Sequence, residues 1–134
     1  MKSYLLIVLV ILFCSCNQSA IKQNFSSADS LVVHFKDEQA GVVTKTVQTA
    51  KSKAINRMID FIDAKEAAQF NCGYDGKMFF YNKGQKIQEV DFKMKNDSCN
   101  HFFFLLNDNR MSTRMSGEAI DFLNALEQGM PVYY

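Results

Sequence analysis

Tryptophan is absent from the 134 residues, proline occurs once and histidine only twice. Two histidines leave little material for imidazole-based nucleophilic catalysis or a histidine-rich metal site. Charge of one sign is lacking too: 15 Lys and Arg stand against 14 Asp and Glu. The basic excess that neutralises phosphates is therefore missing, and no nucleic-acid partner is expected. Glycines number six, none in a phosphate-cradling loop between a strand and a helix, and no serine sits in a Gly-x-Ser-x-Gly turn. Nucleotide binding and acyl transfer have no motif to rest on, and no cofactor is expected. No apolar run approaches the roughly 20 residues of a membrane-spanning helix.

What is present is a chain with 48% apolar and 22% charged residues, which suits one globular domain. Its first landmark is Lys2 followed by ten apolar residues from Tyr4 to Phe13, ending at Cys14-Ser15-Cys16. As a helix that run covers about 15 Å, half the hydrocarbon layer, and has the length of a signal-peptide core. One basic residue, the apolar core and Phe13-Cys14-Ser15-Cys16 resemble a bacterial lipoprotein precursor. The resemblance implies cleavage after Ser15 and a Cys16 lipidated on sulfur, with acyl chains of the palmitate type holding the protein to a membrane. Ser15 is small enough for the cleaved bond, whereas Phe13 before Cys14 is too bulky. The lipobox departs from the usual pattern at Phe13 and Cys14, and plain secretion without a lipid is the alternative.

Residues 1–15 are thus expected to be a signal peptide, 16–29 a flexible lipid-anchored tether rich in Ser, Asn and Asp, and 30–134 a single domain. Fourteen flexible residues reach on the order of 20 Å. Loss of Lys2 takes the 15 basic residues to 14, equal to the 14 acidic ones. With Cys14 removed and Cys16 used as the anchor, Cys72 and Cys99 remain for one disulfide in an oxidising compartment.

From Leu31 the pattern alternates, with Leu31, Val33 and Phe35 predicted inward, and Val42 to Gln48 predicts a second strand of the same hairpin. Thr49 or Ser52 is the expected cap of a helix carrying Ile55, Met58, Ile59 and Ile62 on one stripe. Cys72-Gly73-Tyr74-Asp75-Gly76 predicts tight turns. Strands are expected over Lys77–Tyr81, around Val90, Phe92 and Met94, and over Phe102–Leu106. The last of these is apolar on both faces and is expected in the middle of the sheet. A sixth strand, Arg110 to Met115, should turn Met111, Thr113 and Met115 inward and Arg110, Ser112 and Arg114 outward. Ser116 should cap a final helix with Ala119, Phe122, Leu123 and Leu126 inward, ended by Gly129 and Pro131. The fold class is α+β: an antiparallel sheet of about six strands with two amphipathic helices on one face. A cystatin-like or TATA-binding-protein-like wrap is similar by analogy.

Among possible sites, Cys72, Asp75, Cys99 and His101 could together hold zinc, but a disulfide explains the two sulfurs more simply, so no metal is expected. Asp60, Asp63 and Glu66, at spacing three, lack the loop that binds calcium and suit a solvated helix face. His34 belongs on an outward strand face. Tyr74, Tyr81, Tyr133 and Tyr134 are candidates for exposure, and Tyr74, Arg110 and Arg114 form the expected binding surface, with the Asn71–Gly76 loop brought near by the disulfide. The expected function is a non-catalytic interaction or assembly module of the cell envelope, facing periplasm or exterior and binding another envelope component. A periplasmic inhibitor or small-ligand binder is the alternative.

Overall fold

The computed structural model describes residues 18–68 and 71–132, so the expected signal peptide and Cys16 lie outside the described residues. Helix α1 spans Ala20–Phe25, strands β1 and β2 span Ser30–Lys36 and Val43–Thr49, and α2 spans Ser52–Ile62. Strands β3 to β6 follow at Gly76–Asn82, Gln85–Lys93, His101–Leu106 and Asn109–Arg114, and α3 at Gly117–Gln128 closes the series. The strands form one antiparallel sheet in the order β2-β1-β3-β4-β5-β6, so the α+β class holds. The chain makes a hairpin, passes through α2, and sets β3 on the free side of β1 before a four-strand meander.

Alternation decides which face is covered. Leu31, Val33 and Phe35 meet Met78, Phe80, Val90, Phe92, Phe102 and Phe104 in the core, and α2 adds Ile55, Met58 and Ile62. Both two-residue hairpin loops have positive φ at each central position, 49° and 77° at Lys83-Gly84 and 50° and 64° at Asn107-Asp108. Those angles match the twist of the flanking strands. At Gly76 a Cβ atom would lie 2.3 Å from the Phe92 ring and 2.4 Å from the His34 carbonyl oxygen, so only glycine lets β1, β3 and β4 meet there.

Helix α3 is capped as its sequence predicts. The Ser116 hydroxyl accepts from the Ala119 N–H at 3.1 Å, and Gly129 adopts φ 70° while the Met130 N–H reaches the Ala125 carbonyl. Helix α2 differs: neither expected residue caps it. Lys51 occupies the cap with no side-chain bond, because the Thr49 hydroxyl is spent one step earlier on the Lys51 N–H.

Three further expectations are corrected. The stretch expected as tether through Asp29 contains α1, whose Phe25 is fully buried and whose N-terminus is capped by Ser19. Two apolar residues four apart, Ile21 and Phe25, were enough to dock a short helix beneath α2 and β4. Phe102–Leu106 is the fifth strand of six rather than a central one, and Leu105 is 50% exposed. Ser112 does lie on the face opposite the helices but is buried, since the chain between Lys65 and Ala68 runs beside β6. There the Ala67 N–H donates to the Ser112 carbonyl, the Arg114 N–H donates to the Lys65 carbonyl, and the Ser112 hydroxyl donates to the Ala68 carbonyl. No helix among the described residues is long and apolar enough to cross a membrane.

Candidate functional site

Among the described residues, all three helices pack on one side of the sheet, so the other side is the candidate surface. One row across it reads His34, Lys77, Asp91, Phe103 and Ser112, on β1, β3, β4, β5 and β6 in turn. A second row brings Val32, Phe79 and Glu89 together, and Leu105 stands opposite Arg110 at the same end. The third row, Lys93, His101 and Arg114, lies at the opposite end.

The apolar part is aromatic. His34 meets the Phe79 ring edge-on at 5.2 Å, and the Lys86 ammonium lies 5.7 Å from the same ring centre. Tyr74 packs its ring 6.2 Å from Phe103 and 6.0 Å from His101. It is brought there by the Cys72–Cys99 disulfide, which joins the loop before β3 to the turn before β5. The expected bridge is therefore present, and the Asn71–Gly76 loop lies against the sheet face. Between β4 and β5 a shallow groove of about 370 Å³ is lined by Lys86, Gln88, Glu89, Asp91, Phe103 and Leu105.

The charges on this face are arranged around Lys77, whose ammonium is 2.5 Å from Glu89 and 3.6 Å from Asp91. The hydrogen bond to Glu89 holds the Lys77 ammonium above the ordinary lysine range, and Lys77 and then Lys86 hold Glu89 below the usual carboxylate range. Asp91 goes the other way: burial raises its carboxyl despite Lys77. Burial, followed by the nearby Asp91, also raises the Tyr74 phenol. These groups bind one another and leave an aromatic strip bordered by paired charges.

Of the expected surface residues, Tyr74 and Arg114 share the disulfide end, while Arg110 lies four residues along β6, roughly 14 Å away. Both arginines are exposed. The Cys72, Asp75, Cys99 and His101 set is occupied by other bonds: the sulfurs are joined, His101 Nδ1 lies 2.6 Å from the Cys99 carbonyl oxygen, and Asp75 is taken by Lys93 and two backbone N–H groups. Asp60 and Asp63 face the Lys22 ammonium of α1 at 2.9 and 4.0 Å. Tyr81 is half-buried, and Tyr133 and Tyr134 lie outside the described residues.

Sequence reasoning passed over Lys93. Alternation along β4 gives it the same phase as Glu89 and Asp91, opposite to Val90 and Phe92, yet its side chain is only 4% exposed and is paired with Asp75 and Glu38. The loop that covers it comes from outside its own hairpin, a contact no local pattern carries. A second hollow, about 250 Å³ and apolar, opens between β2, α2 and α3 and is lined by Val47, Ala54, Met58, Phe122, Leu126 and Val132 among others. Compared with protein-family models, curated proteins and solved structures, the chain matches none.

Proposed function

We propose that this chain is a lipid-anchored protein of the bacterial cell envelope whose domain works by binding a protein partner through the uncovered face of its sheet. The anchor rests on the resemblance of residues 1–16 to a lipoprotein precursor. The binding role rests above all on one observation: a strand apolar on both sides, β5, leaves Leu105 50% exposed beside half-buried Phe103, with Tyr74 and Arg110 flanking them. Exposed apolar patches rimmed by polar groups mark interaction sites. Tethering to a membrane confines the domain to a thin shell and raises its effective concentration toward neighbours there, so modest contacts suffice.

The test combines location with partner dependence. Cys16→Ser should leave the protein unprocessed or released from membranes, and a processed protein that stays wholly in membranes removes the anchor. Leu105→Arg with Arg110→Glu alters two exposed side chains and should leave the melting temperature nearly unchanged. The same change should abolish crosslinking to the partner recovered with the native protein, and undiminished crosslinking eliminates this face. The apolar hollow beside β2 favours a second reading, a small apolar ligand bound between the sheet and α3. A ligand released on denaturation, with the Leu105→Arg variant still active in binding it, would select that reading.

A further inference from the structure

At the disulfide end of the sheet, three charged side chains converge under the β1–β2 loop. Asp75 precedes β3 and donates its backbone N–H to the carbonyl of Phe92, the neighbour of Lys93 at the end of β4; the Asp75 and Lys93 side chains are 2% and 4% exposed. Lys93 Nζ lies 3.3 Å from Asp75 Oδ1 and 2.6 Å from Glu38 Oε2. The other carboxyl oxygen, Asp75 Oδ2, accepts the backbone N–H groups of Met94 and Lys95 at 2.8 and 2.9 Å. Burial alone would push the Lys93 ammonium down, but Glu38 and Asp75 outweigh it and hold it above the usual range.

This arrangement supplies each part of an amide-forming centre. Two N–H groups on one oxygen stabilise the negative charge that develops when a nucleophile adds to the attached carbon. The Lys93 ammonium faces the other oxygen, and a second carboxylate, Glu38, touches that ammonium and can take and return protons. We propose that Lys93 and Asp75 condense into an intramolecular isopeptide bond, with Glu38 carrying the protons. Glu38 accepts a proton from the ammonium, and the free amine adds to Asp75 Cγ while Met94 and Lys95 hold the charge on Oδ2. Glu38 passes the proton to Oδ1, a second amine proton follows it by the same route, and the Cγ–Oδ1 bond breaks. One ammonium and one carboxylate become one amide and one water, Glu38 ends as it began, and no oxidant or co-reactant enters.

Condensation runs against water in dilute solution, and two features oppose that. Neighbours held in place reach effective molarities of about 10⁵–10⁸ M, and burial withholds the water that would reverse the step. The product would tie β3 to β4 at the open end of their hairpin, beside a disulfide that a reductant can open, with a bond that a reductant cannot. The inference is independent of what the open sheet face binds.

Peptide mapping of the full-length protein decides it. After reduction, alkylation and trypsin, acylated Lys93 resists cleavage. The expected product is Glu66–Lys77 joined to Ile87–Lys95, lighter than the two peptides together by one water. Glu38→Gln changes a half-exposed loop residue, so it should fold with its disulfide intact yet yield the two segments unlinked. Recovery of Glu66–Lys77 and Ile87–Lys93 as separate peptides from folded wild-type protein overturns the bond and leaves a buried ion pair. Linkage undiminished in Glu38→Gln overturns the role of Glu38.

Discussion

Replacing Phe25 by Ala tests whether α1 belongs to the folded unit or merely precedes it. The ring is fully buried, with its centre 4.8 Å from that of Phe80 and 5.7 Å from that of Phe104, edge-on to both. Removing it deletes the transfer free energy of a phenyl group and leaves a cavity against Phe80 and Phe104. Phe→Ala at such sites costs about 3–5 kcal/mol. Total stability for a domain of this size is on the order of 5–15 kcal/mol, so the variant should be folded only marginally. Its melting temperature should fall by roughly 10–25 °C. Urea unfolding followed by circular dichroism measures the change directly, and Gln23→Ala on the exposed side of the same helix should stay within about 0.5 kcal/mol. A loss under about 1 kcal/mol for Phe25→Ala at unchanged slope would refute the reasoning and return residues 20–25 to the role of linker.

Two further outcomes follow from the disulfide and the charged row. Cys72 and Cys99 close a separation of 27 residues, so Cys72→Ser with Cys99→Ser should cost roughly 3.5 kcal/mol in chemical denaturation; an unchanged midpoint with and without reductant in the wild type would contradict this. Burial raises the folded Asp91 carboxyl above its unfolded value, so the folded state holds that proton more tightly and gains stability as pH falls through the folded and then the unfolded value. Asp91→Asn should therefore be more stable than wild type at neutral pH, with the difference closing as pH falls to about 4; an Asn variant less stable at neutral pH shows that the Lys77 pair outweighs burial.

Much of the architecture was legible because its determinants are local. Leu31, Val33 and Phe35 announce a half-buried strand by alternation, Ile55, Met58, Ile59 and Ile62 a helix by spacing, and Ser116 and Gly129 the ends of α3. The misreadings share a cause. Ser112 points as alternation says, and its burial comes from Lys65–Ala68, residues some 45 positions away in sequence. Lys93 is turned from an outward lysine into a buried one by Asp75 and Glu38. Helix α1 is shorter than the two turns in which periodicity can be recognised, and tertiary packing supplies what its sequence lacks.

The Phe102–Leu106 strand carries the more instructive difference. An apolar run on both faces is the mark of a strand covered on both sides. The helix side is covered: Phe102, Phe104 and Leu106 lie in the core. On the other side, among the described residues, the disulfide-held loop reaches β5, where Tyr74 packs on Phe103, while Leu105 stays 50% exposed. The face is thus graded along its strands, braced at one end by the disulfide and by Lys93 with its two carboxylates, and more accessible at the other, where exposed Leu105 stands opposite Arg110. Among the described residues, then, a run apolar on both faces is fully covered on the helix side and covered on the other only as far as Tyr74 reaches, which leaves Leu105 exposed at the end of β5 away from the disulfide.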